Sequence, residues 1–141
     1  MPANNQPIFT RTADVQWTIT PMTAANTTTD LTSGTIYPAF TADTTEGGYV
    51  QRIRFRTLGT NSVATVARVW INNGGVTTTA ANNTLFDEIT LPTTTAIQTA
   101  AQANYELPLN FALPPGDRIY ITLGLAPTSA GWQATVIGGK Y

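Results

Sequence analysis

The sequence lacks both histidine and cysteine, and each absence excludes a class of chemistry. Without histidine, neither a Ser-His-Asp nor a Cys-His arrangement can be assembled, and imidazole cannot ligate a metal. Without cysteine, no disulfide stabilises the fold. Charged residues are also scarce, at 11% of the chain, against about a quarter in ordinary soluble domains. The sequence therefore argues against an enzyme, and we expect no cofactor.

The charge balance and the hydropathy exclude further classes of protein. A net charge of −1 and a pI of about 5.1 argue against a surface that neutralises phosphates, so no nucleic-acid partner is expected. No segment reaches the roughly 18 consecutive apolar residues of a membrane span. The N-terminal "MPANNQPIFTRTADV" lacks the basic region and apolar run of a secretory signal. We expect a chain that is made in the cytosol, stays soluble and contacts no membrane.

The acidic residues offer little for catalysis or metal binding. Asp87 and Glu88 are adjacent, and on a strand their side chains point to opposite faces. Asp43 and Glu46 share the loop "TADTTEGG", where carbonyl oxygens would complete a calcium shell, although a loop with two acids is more often a plain turn. We therefore expect neither a carboxylate dyad nor a metal site.

Threonine and period-two alternation dominate what remains. Threonine is about a fifth of the chain, and its β-branched side chain suits a pleated surface. The segment "NYELPLNFAL" places these apolar residues on one parity: Tyr105, Leu107, Leu109, Phe111 and Leu113. Pro108 cannot donate to a ladder, which predicts an edge strand or a bulge. The turn "PPGD" and the strand "RIYITLGLA" follow, and they predict a β-hairpin. In this second strand the residues expected to face inward are Ile119, Ile121, Leu123 and Leu125.

Similar patterns along the chain predict about eight strands. In order they cover 14–20, 34–41, 50–58, 63–72, 84–92, 105–113, 118–126 and 131–139. The nearly continuous apolar run "VATVARVWIN" predicts a central strand covered on both faces. The loop at 93–104 has room for one short turn of helix. The glycine pairs 47–48, 74–75 and 138–139 predict turns.

The strand count selects the fold class. Both a jelly roll and an immunoglobulin-type Greek key fit the pattern, and two long loops, about 23–33 and 92–103, favour the jelly roll. The sequence therefore predicts an all-β, single-domain β-sandwich, jelly-roll-like, with about eight antiparallel strands. We place an N-terminal arm at 1–14 and the sandwich at 15–141.

The tryptophans lie inside predicted strands, and core packing is the expected role. Val15, Trp17 and Ile19 alternate with polar residues and are predicted on a buried side. Trp70 is the exception, because it shares parity with Arg68 rather than with its apolar neighbours.

The stretch "YVQRIRFRTLG" places three arginines at alternate positions of one strand. Side chains two residues apart lie roughly 6.5 to 7 Å from each other on one face. Two interpretations stay open: a solvated face paired to Glu88 or Glu106, or a docking surface for an acidic protein patch. The N-terminal arm is predicted to pack against a neighbouring subunit or the capsid, and not only on its own domain. The interface candidates are Ile8, Phe9, Arg11, Arg52, Arg54 and Arg56.

The run of segments "LGTNSVATVARVWINNG", "LFDEITLP", "ELPLNFALPPG" and "GWQATVIGGKY" resembles small virion structural proteins of tailed bacteriophages, of the decoration or cement type. The similarity spans about residues 34–141 and includes no catalytic or binding motif. It implies a subunit on the capsid surface, assembled in the host cytoplasm, bound to the major capsid protein and to copies of itself. It also implies a homotrimer, since such proteins commonly occupy three-fold positions.

A different class of function stays open beside this one. A receptor- or carbohydrate-binding module of a tail fibre or baseplate is also a β-sandwich, and it would need exposed aromatic residues beside polar side chains. The candidates for that role are Tyr37, Tyr49, Trp70 and Tyr120.

Overall fold

A computed structural model describes residues 10–128 and 130–141 of the chain. Within these ranges the chain forms eight strands and one short 3-10 helix. The strands are β1 (Thr12–Trp17), β2 (Tyr37–Thr41), β3 (Gly48–Thr57), β4 (Thr65–Asn72), β5 (Asn83–Leu91), β6 (Tyr105–Leu113), β7 (Arg118–Leu123) and β8 (Trp132–Lys140). The 3-10 helix covers Ala80–Asn82, whereas 93–104, which has room for a short turn of helix, contains none.

The strands form two four-stranded antiparallel sheets. Sheet I has the order β1-β8-β3-β6, and sheet II has the order β2-β7-β4-β5. The apolar sides of both sheets face each other, as alternation along a half-buried strand requires. The predicted all-β sandwich of eight antiparallel strands is confirmed.

The pairing of the strands is nested. β4 pairs with β5, β3 with β6, β2 with β7 and β1 with β8, so strands far apart in the chain lie side by side. The predicted hairpin between 105–113 and 118–126 is therefore wrong, because β6 lies in sheet I and β7 in sheet II. Pro114 and Pro115 lack an N–H and cannot continue a ladder. The Asp117 N–H donates to Pro114 O at 3.2 Å and closes the turn. The turn connects β6 in sheet I to β7 in sheet II.

The main core fills the space between the two sheets. Its largest members with less than 2% exposure include Phe40, Val50, Ile53, Phe55, Leu91, Ile119, Ile121, Leu123 and Trp132. The ring of Trp132 meets Tyr105 edge-on, with centroids 5.5 Å apart. Leu125 does not join the core as predicted, because β7 ends at Leu123 and the Leu125 side chain is 58% exposed.

Pro108 lies where the sequence placed it, on an edge strand next to a bulge. β6 is the last strand of sheet I, and its register against β3 shifts between Val50 and Arg52. Asn110, in the same bulge, adopts a φ of 55°, a left-handed conformation that asparagine tolerates better than most residues.

The glycine pair 138–139 is not a turn, contrary to the prediction. Both glycines lie inside β8, where Gly138 is opposite Val50 of β3 and Asp14 of β1. A Cβ atom at Gly138 would collide with the Tyr49 carbonyl oxygen. Glycine is used here because the backbones of β8 and β3 approach closely.

The predicted boundary of the N-terminal arm is also moved. β1 begins at Thr12, so residues 12–14 belong to sheet I and not to an arm. Of the remaining arm residues 1–11, residues 1–9, with the interface candidates Ile8 and Phe9, lie outside the described residues.

Candidate docking surface

The outer face of sheet II is covered in part by the chain itself. The segment between β1 and β2 crosses this face and buries Leu31 to 1% exposure against Trp70 and Tyr120. The Trp70 Nε1–H donates to Thr122 Oγ1, 2.9 Å, which satisfies the indole in this second cluster. Trp70 is on the outer side of its strand, as its parity indicated, yet it is only 2% exposed.

The outer face of sheet I carries the row of arginines on β3. Arg52, Arg54 and Arg56 lie opposite Ile137, Thr135 and Gln133 of β8, respectively. The residues between them, Ile53 and Phe55, are fully buried, so the three guanidinium groups project to the outside together. The predicted common face of these arginines is confirmed by this register.

The arginines are only partly neutralised by neighbouring groups. Arg54 binds Glu106 Oε1 through both Nε and Nη2, each at 2.7 Å, and Arg52 Nε lies 3.8 Å from Glu106 Oε2. Arg56 instead donates to Gln102 O and Asn104 Oδ1, at 2.8 and 2.7 Å. The row therefore places three cations beside one carboxylate.

The predicted pairing partners of this row are resolved by the same contacts. Glu106 pairs with the row, whereas Glu88 pairs with Arg68 on sheet II at 3.0 Å. The Arg52 Nε atom is buried and makes no hydrogen bond in the part of the chain that the structure describes. A cavity of about 280 Å³, lined by Gln51, Arg52, Glu106, Pro108 and Asn110, opens beside it. One donor of the row is thus left without an acceptor.

The edge of the same face is apolar. Val15 and Trp17 on β1 are 46% and 52% exposed, and Ile19, just after β1, is 87% exposed. The predicted burial of these three residues is wrong, because β1 turns Asp14 and Gln16 inward. Gln16 Nε2–H donates to Thr41 O and its Oε1 accepts from Thr41 N–H, both at 2.9 Å, which closes the side of the sandwich.

We define the docking face as the outer side of sheet I that carries Arg52, Arg54, Arg56, Val15, Trp17 and Ile19. Trp17 and Arg54 both align with Thr135 of β8, on either side of it. Two strand spacings therefore separate their backbones, about 10 Å. Sequence reasoning found the arginines but missed the tryptophan, since alternation alone does not tell which parity faces the core.

Arg11, another interface candidate, lies on the same sheet at its other end. Its backbone N–H donates to Lys140 O at 2.9 Å, just before β1 begins. The register therefore separates it from Trp17 by the whole length of β1. Among the described interface candidates, the structure brings together the three arginines of β3 and leaves Arg11 apart.

The acidic loop considered for calcium is a turn closed by its own carboxylate. Asp43 Oδ1 accepts N–H groups from Glu46 and Thr45, each at 2.9 Å, and these bonds hold the pKa of Asp43 below its usual value. Hydrogen bonds from Thr32 likewise lower the pKa of Asp30, whereas desolvation raises the pKa of Asp117. Within residues 10–128 and 130–141, no cluster of three or more potential ligands is positioned to hold a metal ion.

Most of the aromatic candidates for glycan stacking are inside the protein. Tyr37 and Tyr120 are 7% exposed and Trp70 is 2% exposed. The Tyr37 hydroxyl accepts N–H groups from Thr23 and Ala24, at 3.1 and 3.0 Å. Only Tyr49 of this set is partly exposed, and its hydroxyl donates to Asn110 Oδ1 at 3.3 Å. The predicted aromatic set does not form a stacking platform.

Comparison of the sequence with protein-family models and with curated proteins gave no match. A search for membrane-spanning helices in the described ranges found none of sufficient length and hydropathy.

Proposed function

We propose that the chain is a bacteriophage virion protein that decorates or cements the capsid by binding the major capsid protein through the docking face. The observation that carries this proposal is the unequal treatment of the two outer faces. The segment between β1 and β2 covers the part of sheet II around Trp70 and Tyr120, whereas no described residue covers the row of three arginines and the half-exposed tryptophan on sheet I. The resemblance of the sequence to phage decoration proteins agrees with a binding role.

The proposal includes a jelly roll as the finer fold class. A jelly roll forms when a long hairpin of eight strands rolls up, so that strand pairs are nested and are distributed over two sheets. The nested pairing of β1 with β8 through β4 with β5 supports this class. Jelly rolls recur in viral capsid proteins and in lectins, so the fold alone does not select the function.

The chemistry of the docking face selects the kind of partner. The guanidinium group of arginine is planar, and its N–H donors match the two oxygens of a carboxylate. A tryptophan that becomes buried on binding supplies apolar contact area at the centre of many interfaces. Since one carboxylate faces three arginines, the row retains a positive surplus while the whole chain has a net charge of −1. The partner surface we propose on the capsid is therefore acidic, with an apolar depression for Trp17.

A binding experiment with two targets tests this function. The purified full-length chain is incubated with phage heads that lack decoration and, separately, with host cells, and co-sedimentation is measured. We expect saturable binding to heads and none to cells. Attachment to cells alone would contradict the cement function and favour a receptor-binding module.

Charge reversal of the arginine row should weaken head binding. We expect the triple variant Arg52→Glu, Arg54→Glu, Arg56→Glu to lose at least about tenfold in affinity, because like charges then face the acidic partner. The loss should shrink as salt rises, since screening weakens both attraction and repulsion. The matched control is Arg68→Glu on sheet II, which should bind like the wild type. Equal affinity of the triple variant and the wild type, with circular dichroism unchanged, would show that the row is a solvated face.

A further inference from the structure

Each sheet of the sandwich ends in two edge strands, and such edges invite pairing with another chain unless they are interrupted. Three of the four edges are interrupted. β2 contains Pro38 and a register shift against β7. β6 contains Pro108 and a register shift against β3, and β5 shifts register against β4 beside Trp70. These are the features by which natural sheets prevent association at their edges.

The fourth edge, β1, has none of these features. It pairs with β8 without a shift, from Thr12 opposite Lys140 to Trp17 opposite Thr135. It contains no proline, and its one charged side chain is that of Asp14. Val15 and Trp17 add an exposed apolar strip along it. In the described residues, no strand pairs with the other side of β1.

The ladder with β8 shows which backbone groups point to this open edge. Thr18 N–H donates to Ala134 O at 3.0 Å, in the register that β1 keeps with β8. In an antiparallel pair, directly bonded residues alternate with residues whose groups point away. The N–H and C=O groups of Ala13, Val15 and Trp17 therefore point away from β8, to the open edge.

We propose that β1 is a self-association site, at which β1 of a second copy of this chain pairs antiparallel about a two-fold axis. An isologous contact of this kind needs a surface that complements itself. Residues directly opposite each other on neighbouring strands point to the same face of a sheet. The docking faces of both copies lie on one side of the joined sheet only if Val15 is opposite an outward-facing residue of the second copy. The register with Val15 opposite Val15 of the second copy satisfies this condition. It also places the large Trp17 opposite the small Ala13.

Charge favours this register over the adjacent one, in which the two-fold axis passes beside Asp14 and the same number of β1 residues are paired. With Val15 on the axis, Asp14 lies opposite Gln16 of the second copy. A shift of the axis to Asp14 would bring two carboxylates directly opposite each other, which is unfavourable. The β1 pairing joins the two copies of sheet I into one eight-stranded sheet. Five strand spacings then separate the two arginine rows, about 24 Å. The resulting dimer differs from the homotrimer that the sequence resemblance implied.

A single engineered cysteine tests the pairing directly, because the chain has none of its own. Directly opposite, hydrogen-bonded residues have Cα atoms about 5.5 Å apart, within reach of a disulfide. We expect Val15→Cys to form a covalent dimer under mild oxidation on a non-reducing gel. Val76→Cys is the matched control, since Val76 is 65% exposed in a loop away from β1. Equal cross-linking of both variants, or none at position 15, would overturn the proposal.

Sedimentation of the purified full-length chain gives an independent test. We expect the wild type to form a dimer and Val15→Lys to raise its dissociation constant about 30-fold, because two ammonium groups then face each other. Val76→Lys should leave the dimer intact. A wild type that stays monomeric at every concentration, or a trimer, would rule out the two-fold pairing. Since no heads are present, this outcome is separable from that of the capsid-binding experiment.

Discussion

Replacing Trp70 with alanine will lower the free energy of unfolding by about 3–5 kcal/mol, the range for removing a large aromatic side chain from a core. The indole is 2% exposed and packs with Leu31 and Tyr120 under the segment that crosses sheet II. Its removal leaves a cavity under that segment. It also leaves the hydroxyl of fully buried Thr122 without the Nε1–H donor that it accepts from at 2.9 Å. Urea denaturation followed by circular dichroism measures the loss.

Trp17→Ala is the matched control for this variant, because the same side chain is removed from a site that is 52% exposed. We expect it to cost less than about 1 kcal/mol in dilute protein, where association does not contribute. Similar losses for both tryptophans would mean that the segment crossing sheet II does not pack on Trp70. That result would remove the contrast between the covered cluster around Trp70 and the docking face.

The two tryptophans also show how far the sequence predicts this fold. Period two follows from the pleat of any strand, so the eight strands and the common face of the arginines could be read directly. Parity does not tell which side meets the core. In β1 the apolar parity points outward, because the amide of Gln16 is needed to bond Thr41 across the side of the sandwich. The parity of Trp70 marks it as unusual, but the loop that covers it has no periodic signal.

Pairing between strands was predicted least well, for a related reason. The turn "PPGD" correctly marked a reversal between β6 and β7, yet a reversal fits a hairpin and a crossover between sheets equally well. The partner of β6 is β3, whose paired residues lie 50 (Phe55 and Tyr105) to 65 (Gly48 and Leu113) positions earlier in the chain, and only the nested topology decides this. The apolar border of the docking face depends on the same topology, since it exists only because β1 is an edge strand.

Replacing Asn61 with alanine should be nearly as damaging as the loss of Trp70, although the side chain removed is polar. Asn61 is fully buried, and its Nδ2 donates to Thr57 Oγ1 and Gly131 O at 2.9 and 3.1 Å. Its Oδ1 accepts the Gly131 N–H at 2.9 Å. Alanine would remove these three hydrogen bonds from a buried site, at about 1 kcal/mol each, although Leu58 N–H and Thr128 O remain as backbone partners of Gly131. We therefore expect a loss of about 3 kcal/mol in urea denaturation.

Asn73→Ala provides the comparison, because Asn73 is exposed in the turn after β4 and its side chain bonds only to neighbouring turn groups, Gly75 N–H and Asn82 Oδ1. We expect it to cost less than about 1 kcal/mol. Asn61 joins the loop after β3 to the start of β8, next to the Trp132 core. Since β8 in turn pairs with β1, loosening this junction should also weaken the support of β1. An Asn61→Ala variant as stable as Asn73→Ala would mean that the bonds of Gly131 with Leu58 and Thr128 suffice and that the buried amide does not fix the end of sheet I.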